Sequence, residues 1–339
     1  MFTVAVDVMG GDLGPRVAFR ACATVLQNHP DLRLILPLET SLHIDAQKAL
    51  SRFSDRVLIK PCQSHIDMAD KPARALRQGF SSSMGVAIQA HASGDAQGVL
   101  SVGNTGALMI LSKRLLGTLG GIDRPALATQ IPTRKQPLLM MDLGANLEMS
   151  PKQLAQLGLL AISWYRARGI MKPSIALLNI GKESNKGPED IREAGKLLHR
   201  AAPECYAGFA EGDDVFNGDL HALICNGFAG NIALKTTEGL ADWLTTMMAD
   251  ELSNSKSLRW LIPLWRHTIK RIEKRISPAR HGGAMLLGVC GHVAKTHGKS
   301  DEKTIKYALE YLVKQTKTAD QARLQSEFDR LQRGLNSPE

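Results

Sequence analysis

The stretch SVGNTGALM, residues 101–109, puts two glycines, an amide and a hydroxyl where an apolar strand turns into an apolar helix. A helix start leaves backbone N–H groups without intrahelical partners, and the positive end of the peptide dipoles gathers there. The chemistry this permits is the holding of an anion. Gly103 and Gly106 bare the backbone, while Asn104 and Thr105 add side-chain donors. The same residues also suffice for a tight turn with Asn104 or Thr105 as N-cap and no ligand at all.

Repetition weighs against the turn alone. FTVAVDV runs into MGGDLGP and a helix from Pro15, PLLMMDL into GANLEMSP and a helix over 152–168, SIALLNI into GKESNKGP and a helix over 189–200, and LHALIC into NGFAGN and a helix over about 231–252. Proline in the first turn of a helix loses no hydrogen bond. Five such units with continuously apolar strands predict a parallel sheet covered on both faces, a doubly wound three-layer αβα sandwich of the α/β class. In that architecture the loops after the strands gather on one rim, where ligands bind. Five glycine loops on one rim favour an anion site. Residues 63–94 read as a loop and two helices, with the serines at 81–83 either capping the second or facing a ligand. Residues 301–333, with Leu309, Leu312 and Val313 at helical spacing, read as outer helix for packing or dimer contacts. The whole of 1–339 reads as a single α/β domain.

Composition bounds the chemistry. The 339 residues are 44% apolar and 22% charged, enough for a large core. Five cysteines, an odd number without CxxC spacing, argue against a disulfide framework and for a reducing cytosol. The opening MFTVAVDVMGGD has no basic leader, and no apolar run approaches the ~20 residues that span a bilayer, so a cytoplasmic location is expected. GxGxxG, Walker A, GxSxG and HExxH patterns are missing, so no organic cofactor and no metal are expected. That leaves positional and electrostatic catalysis. A small oxyanion such as phosphate, gripped by N–H groups and a lysine, would itself attack a carbonyl held beside it.

The net charge of +9 is localised. KSLRWLIPLWRHTIKRIEKR, residues 256–275, carries seven Lys/Arg and a single acid, Glu273. Leu261, Ile262, Trp265, Ile269 and Ile272 recur at helical spacing, and Pro263 splits or kinks the run. The pattern predicts a basic amphipathic helical hairpin inserted at about 250–280, suited to an anionic membrane surface through Trp260, Leu261, Trp265, Ile269, Lys270 and Arg271. A dock for an acidic carrier protein, or an apolar face against a partner subunit, fits the same residues. Few aromatics and no recognised fold for it exclude nucleic acid.

Seven motifs in order, DVMGGD (7–12), SVGNTGALM (101–109), IDRPAL (122–127), DLGAN (142–146), LLNIG (177–181), GFAGNIALKTTEG (227–239) and HGGAMLLGVCGHVAKTHG (281–298), closely resemble the bacterial phosphate acyltransferases of phospholipid synthesis over about residues 3–300. The resemblance implies conversion of acyl-[acyl-carrier protein] and inorganic phosphate into acyl phosphate, with no metal or organic cofactor. It implies a phosphotransacetylase-like or isocitrate-dehydrogenase-like fold and a homodimer at the inner face of the membrane. The product would feed a membrane-embedded glycerol-3-phosphate acyltransferase. The chain departs from the family at Glu148 and Asn226, where relatives carry Asp, and its connection after residue 277 is short.

Carried onto this sequence, the family's loops give expected substrate contacts at Asp7, Gly10, Gly11, Asp12, Gly103, Asn104, Thr105, Gly106, Asp142, Gly144, Ala145, Asn146, Gly227 and Gly230. The expected catalytic residues are Lys186 on a glycine-flanked loop, Asn231 with Lys235 one turn on, and His297 as proton donor to the departing thiolate. Each has a plainer reading as cap, turn or surface charge. Rival functions are an acyl-CoA phosphotransacetylase, a metal- and NAD-linked dehydrogenase of similar fold, and a non-catalytic membrane adaptor.

Overall fold

The computed structural model describes residues 2–71, 75–77, 79–254, 283–318 and 320–336. The basic stretch and its six expected membrane contacts, Trp260, Leu261, Trp265, Ile269, Lys270 and Arg271, lie outside the described residues. One sheet of eleven strands runs through the described molecule. In chain order they are β1 (Phe2–Asp7), β2 (Leu32–Leu38), β3 (Val57–Pro61), β4 (Gly98–Ser101), β5 (Ala126–Ile131), β6 (Leu138–Met141), β7 (Ile175–Leu178), β8 (Tyr206–Ala210), β9 (Ala222–Ile224), β10 (Gly283–Leu287) and β11 (Val293–Thr296). In space the order is β3-β2-β1-β4-β11-β10-β5-β6-β9-β7-β8.

The sheet is mixed rather than parallel. β3, β2, β1, β4 and β11 run together, and β6, β9, β7 and β8 run together. Between them, antiparallel pairings of β11 with β10, β10 with β5 and β5 with β6 leave the second group pointing the opposite way. The expected single rim of glycine loops is therefore corrected: the loops after β1 and β4 and those after β6 and β9 approach from opposite directions. The cause is the short connection 132–137, which folds β5 and β6 into a hairpin and reverses the chain.

Helices cover the two faces unequally. On one face α1 (Pro15–Asn28), α5 (Pro151–Arg166), α6 (Glu189–Ala201), α8 (Glu302–Thr318) and α9 (Gln321–Asn336) bury Phe19, Leu160, Leu198, Leu309 and Phe328 over Val4, Val6, Leu100 and Ala294. On the other, α3 (Ser83–Ala92) and α4 (Thr105–Leu116) bury Met84, Ile88, Leu108 and Leu111 over Ala5 and Val99, while α7 (Gly227–Asn254) brings Leu234 over the β6 side. A short α2 (His43–Ala49) packs beside α1. The outer stretch expected over 301–333 is two helices, the second capped by Asp320, whose carboxylate accepts from Arg323 N at 2.9 Å. Between α4 and α7 the second face has a gap floored by β11, β10 and β5. Among the described residues no helix is long and apolar enough to cross a membrane.

Candidate active site

Two buried carboxylates shape the loops around this gap. Asp7, ending β1, accepts from Ser101 Oγ at 2.6 Å and Ser83 Oγ at 2.7 Å. Burial pushes its carboxyl above the usual range, and these hydrogen bonds oppose the shift. Asp142, after β6, accepts from Leu127 N, Ala145 N, Asn146 N and Asn146 Nδ2 at 2.7–3.1 Å. Burial raises its pKa too, against the same hydrogen bonds. Asp142 thereby ties its glycine loop to its strand, while Asp7 ties the end of β1 to the end of β4 and to the start of α3.

The glycines let these loops touch. A Cβ on Gly10 would meet Gly103 Cα at 2.7 Å, and one on Gly11 would sit 3.1 Å from Val102 Cγ2. Gly227 N donates to Asn146 O at 2.7 Å, and a methyl on Gly230 would run into the Asp142 carbonyl. Gly144 holds φ of +113°, a conformation that excludes other residues at low cost, and a Cβ there would lie 3.5 Å from that of Asn231. Asn226 caps α7, its Oδ1 accepting from Ala229 N at 2.9 Å. Asn and Asp serve that position equally, so this departure from the family leaves the helix start intact. Glu148 is exposed.

The cleft so formed has a volume of about 280 Å³. Thr105, Gly144, Asn231, Lys235 and His297, all singled out from the sequence, line it together with Met68, Thr129, Glu238, Lys295 and Thr296. Gly106 stands in the first turn of α4 beside Thr105, and Ala145 donates its N–H to Asp142. Asp12 N donates to Gly298 O at 2.8 Å, which ties the first loop to the one carrying His297.

Lys295 is the residue the motifs did not single out. It is 6% exposed, and its Nζ donates to Thr296 O at 2.9 Å. Among the described residues no carboxylate lies within ion-pair distance of it. Burial, with the charge of Lys235, pushes its pKa down to about 8, and the Asp12 carboxylate pulls the other way. It shares a row across the sheet with Ser101 and Asp7, so a polar row underlies the cleft. Beside it Lys235 Nζ donates to Glu238 Oε2 at 2.6 Å and lies 2.9 Å from His297 Nε2. Burial raises the Glu238 pKa, but hydrogen bonds from His297 and Lys235 outweigh it and hold the carboxyl below its ordinary range.

Five expectations change, the first two at Asp7 and Asp142, which were expected to touch substrate and are instead buried against internal donors. The amide donors of Asn104 and Asn146 do not face the cleft as ligand contacts. Asn104 Nδ2 lies 2.9 Å from Met68 O and 3.0 Å from Asp70 O, and Asn146 Nδ2 donates to Pro125 O and Asp142. Lys186 is exposed on the loop after β7, and β9 stands between that strand and β6. That loop closes on itself, with Asn179 Nδ2 donating to Lys186 O at 3.0 Å. The signals for Lys295 were its place inside the motif at 281–298 and its alternation with Val293 in the strand VAKT.

A mixed α/β sheet with helices on both faces is a fold this chain shares with solved phosphotransacetylases. A phosphotransacetylase from Streptococcus pyogenes superposes with a TM-score of 0.58 over 94% of each chain at 16% identity. A branched-chain phosphotransacylase from Enterococcus faecalis gives 0.56 over 93% of this chain and 99% of that one at 14% identity. At those identities the likeness is one of fold. Residues 2–322 match the family model described as fatty acid synthesis protein, and the chain belongs to that family. Phosphate acyltransferases from Saccharophagus degradans and Alcanivorax borkumensis are 39% and 41% identical to it, covering 95% and 91% of this chain and 94% and 92% of theirs.

Proposed function

We infer that the cleft over β11, β10 and β5 binds inorganic phosphate beside an acyl thioester, and that the thioester is carried by acyl carrier protein. The chain is an acyltransferase that moves an acyl group to phosphate in fatty acid and phospholipid synthesis. One observation carries the site: a buried ammonium, Lys295, without a carboxylate partner among the described residues, at the floor of a cleft. A buried charge without a partner is costly, and an arriving anion offsets that cost. The α4 start at Thr105 and Gly106 adds backbone N–H groups.

In the reaction a phosphate oxygen bonds to the thioester carbon, the carbonyl oxygen takes up the electron pair, and collapse breaks the carbon–sulfur bond. The proton shed by hydrogen phosphate goes to the departing thiolate. The contact between Lys235 and His297 supports their passing it. Thiol release from palmitoyl carrier protein is expected to require phosphate and to exceed that from palmitoyl-CoA by at least about tenfold, and His297→Ala to slow it by ~10²-fold. Equal or faster release from the CoA ester would make the protein an acyl-CoA phosphotransacetylase. No phosphate-dependent release would leave a membrane adaptor.

The basic run 256–275 supports contact with an anionic cytoplasmic membrane surface, where each cation is worth ~1 kcal/mol, and so hand-over of acyl phosphate to a membrane-embedded glycerol-3-phosphate acyltransferase. Exposed Phe228, Ile232, Trp243 and Met247 recur at helical spacing on α7 and support a homodimer. Flotation is expected with anionic and not with zwitterionic vesicles, at the sedimentation mass of a dimer. A Trp260→Ala, Trp265→Ala, Ile269→Ala triple variant that floats unchanged would sink the membrane reading.

A further inference from the structure

Next to the cleft lies a groove of about 570 Å³, walled by α7, the β5–β6 hairpin and the 3-10 turn at Gly212–Phe216. Leu234 and Glu238 line both spaces, so cleft and groove adjoin at these two side chains. The chemistry changes across that junction. On the cleft side stand Lys295, Lys235 and His297. On the groove side stand Ile131, Pro132, Pro137, Phe216, Leu240 and Leu244.

Two features suit this groove to hydrocarbon. The two prolines of the hairpin have no N–H, so an apolar occupant strips no water from a backbone donor there. Leu234, Ala241 and Leu244 follow one another along a single face of α7, a straight wall rising about 1.5 Å per residue. Phe216 and Leu240 are 38% and 50% exposed, apolar surface that an occupant would cover. Arg134 and Lys135 line the groove as well, but both are exposed on the hairpin bend.

We propose that the groove holds the hydrocarbon tail of the acyl donor, with the thioester carbon at the Leu234–Glu238 junction and the methyl end towards Leu244. The assignment rests on the phosphate-acyltransfer reading of the cleft. Each methylene withdrawn from water favours binding by roughly fourfold, so tails long enough to fill the groove are selected over short ones. Ala241 stands about 10 Å along the helix from Leu234, past the reach of a hexanoyl chain.

The test combines rate and binding. Ala241→Trp is expected to lower the ratio of kcat/KM for palmitoyl carrier protein to that for the hexanoyl form by at least about tenfold. Leu244→Trp, farther along, is expected to move the break to longer chains. In parallel, a fluorescent palmitate analogue titrated onto the full chain is expected to bind at least about tenfold more weakly to Ala241→Trp. Tail binding that weakens in this variant, from a wild type showing no phosphate-dependent thiol release, would uphold the groove and sink the reading of the cleft. Unchanged ratio and unchanged analogue binding would overturn the groove. So would an equal loss at both chain lengths with a change in sedimentation mass, which would make this face a contact between copies of the chain.

Discussion

Lys295→Met is expected to abolish most phosphate-dependent acyl transfer, by ~10³-fold in kcat/KM for phosphate, while leaving the protein more stable. Removing one preorganised donor from an oxyanion site costs ~10² to 10³ in rate, and here the donor also carries charge. Stability moves the other way because the free protein carries this ammonium against its own interest. Lowering the pKa from 10.5 to about 8 corresponds to roughly 3 kcal/mol against the charged form in the fold. The sign follows from linkage: the folded chain binds fewer protons than the unfolded one between those two values, so the penalty is complete below about pH 8 and fades as pH rises towards 10.5. Methionine removes the charge and keeps the bulk, so the thermal midpoint at pH 7 is expected to rise by a few degrees. Phosphate binding to the wild type should weaken above about pH 8, by about tenfold per unit, as the ammonium is lost. A Lys295→Met protein that keeps its phosphate KM and kcat, or one that melts earlier, would contradict the assignment.

Asp142→Ala is expected to cost about 4 to 6 kcal/mol of folding stability and to lower the thermal midpoint by on the order of 10 °C. The carboxylate is fully buried and gathers the donors Leu127 N, Ala145 N, Asn146 N and Asn146 Nδ2; alanine leaves the three backbone donors unpaired and Asn146 Nδ2 with Pro125 O alone. Three of the four are backbone groups that cannot turn away. Asp7→Ala makes a sharper comparison than any surface control. Its close partners, Ser101 Oγ and Ser83 Oγ, are hydroxyls that can rotate to other acceptors, and its backbone donor, Met9 N, is distant at 3.5 Å. Asp7→Ala should therefore cost about half as much. Calorimetry on both variants decides it, and equal midpoints would show that Asp142 does not pin its loop.

Much of the fold was legible because local chemistry and tertiary position agree. Gly103, Gly227 and Gly230 sit where a side chain would collide with a neighbour and Gly144 sits at a positive φ, and the strands before them are apolar because both faces are covered. Helices α1, α5, α6 and α7 announce themselves by caps and period: Pro15 opens the first, and the Ser150–Gln153 capping box opens the second. The sense of the sheet was not legible. A short apolar segment such as ALATQI carries no sign of whether its neighbour runs with it or against it, and the parallel expectation failed at that hairpin.

The site divides the same way. Sequence by itself pointed to glycine loops at helix starts, and of the residues it singled out Thr105, Gly144, Asn231, Lys235 and His297 line one cleft, since small residues and caps in fixed order leave the backbone few alternatives. It did not determine which lysine is buried. A lysine in a strand and a lysine in a glycine-flanked loop look alike until burial is known. Only the packing of β11 between β4 and β10 removed Lys295 from water, while the place of β7 beyond β9 left Lys186 in it. Desolvation is a property of the whole surrounding volume, set by segments far apart in the chain, so no local pattern of residues encodes it.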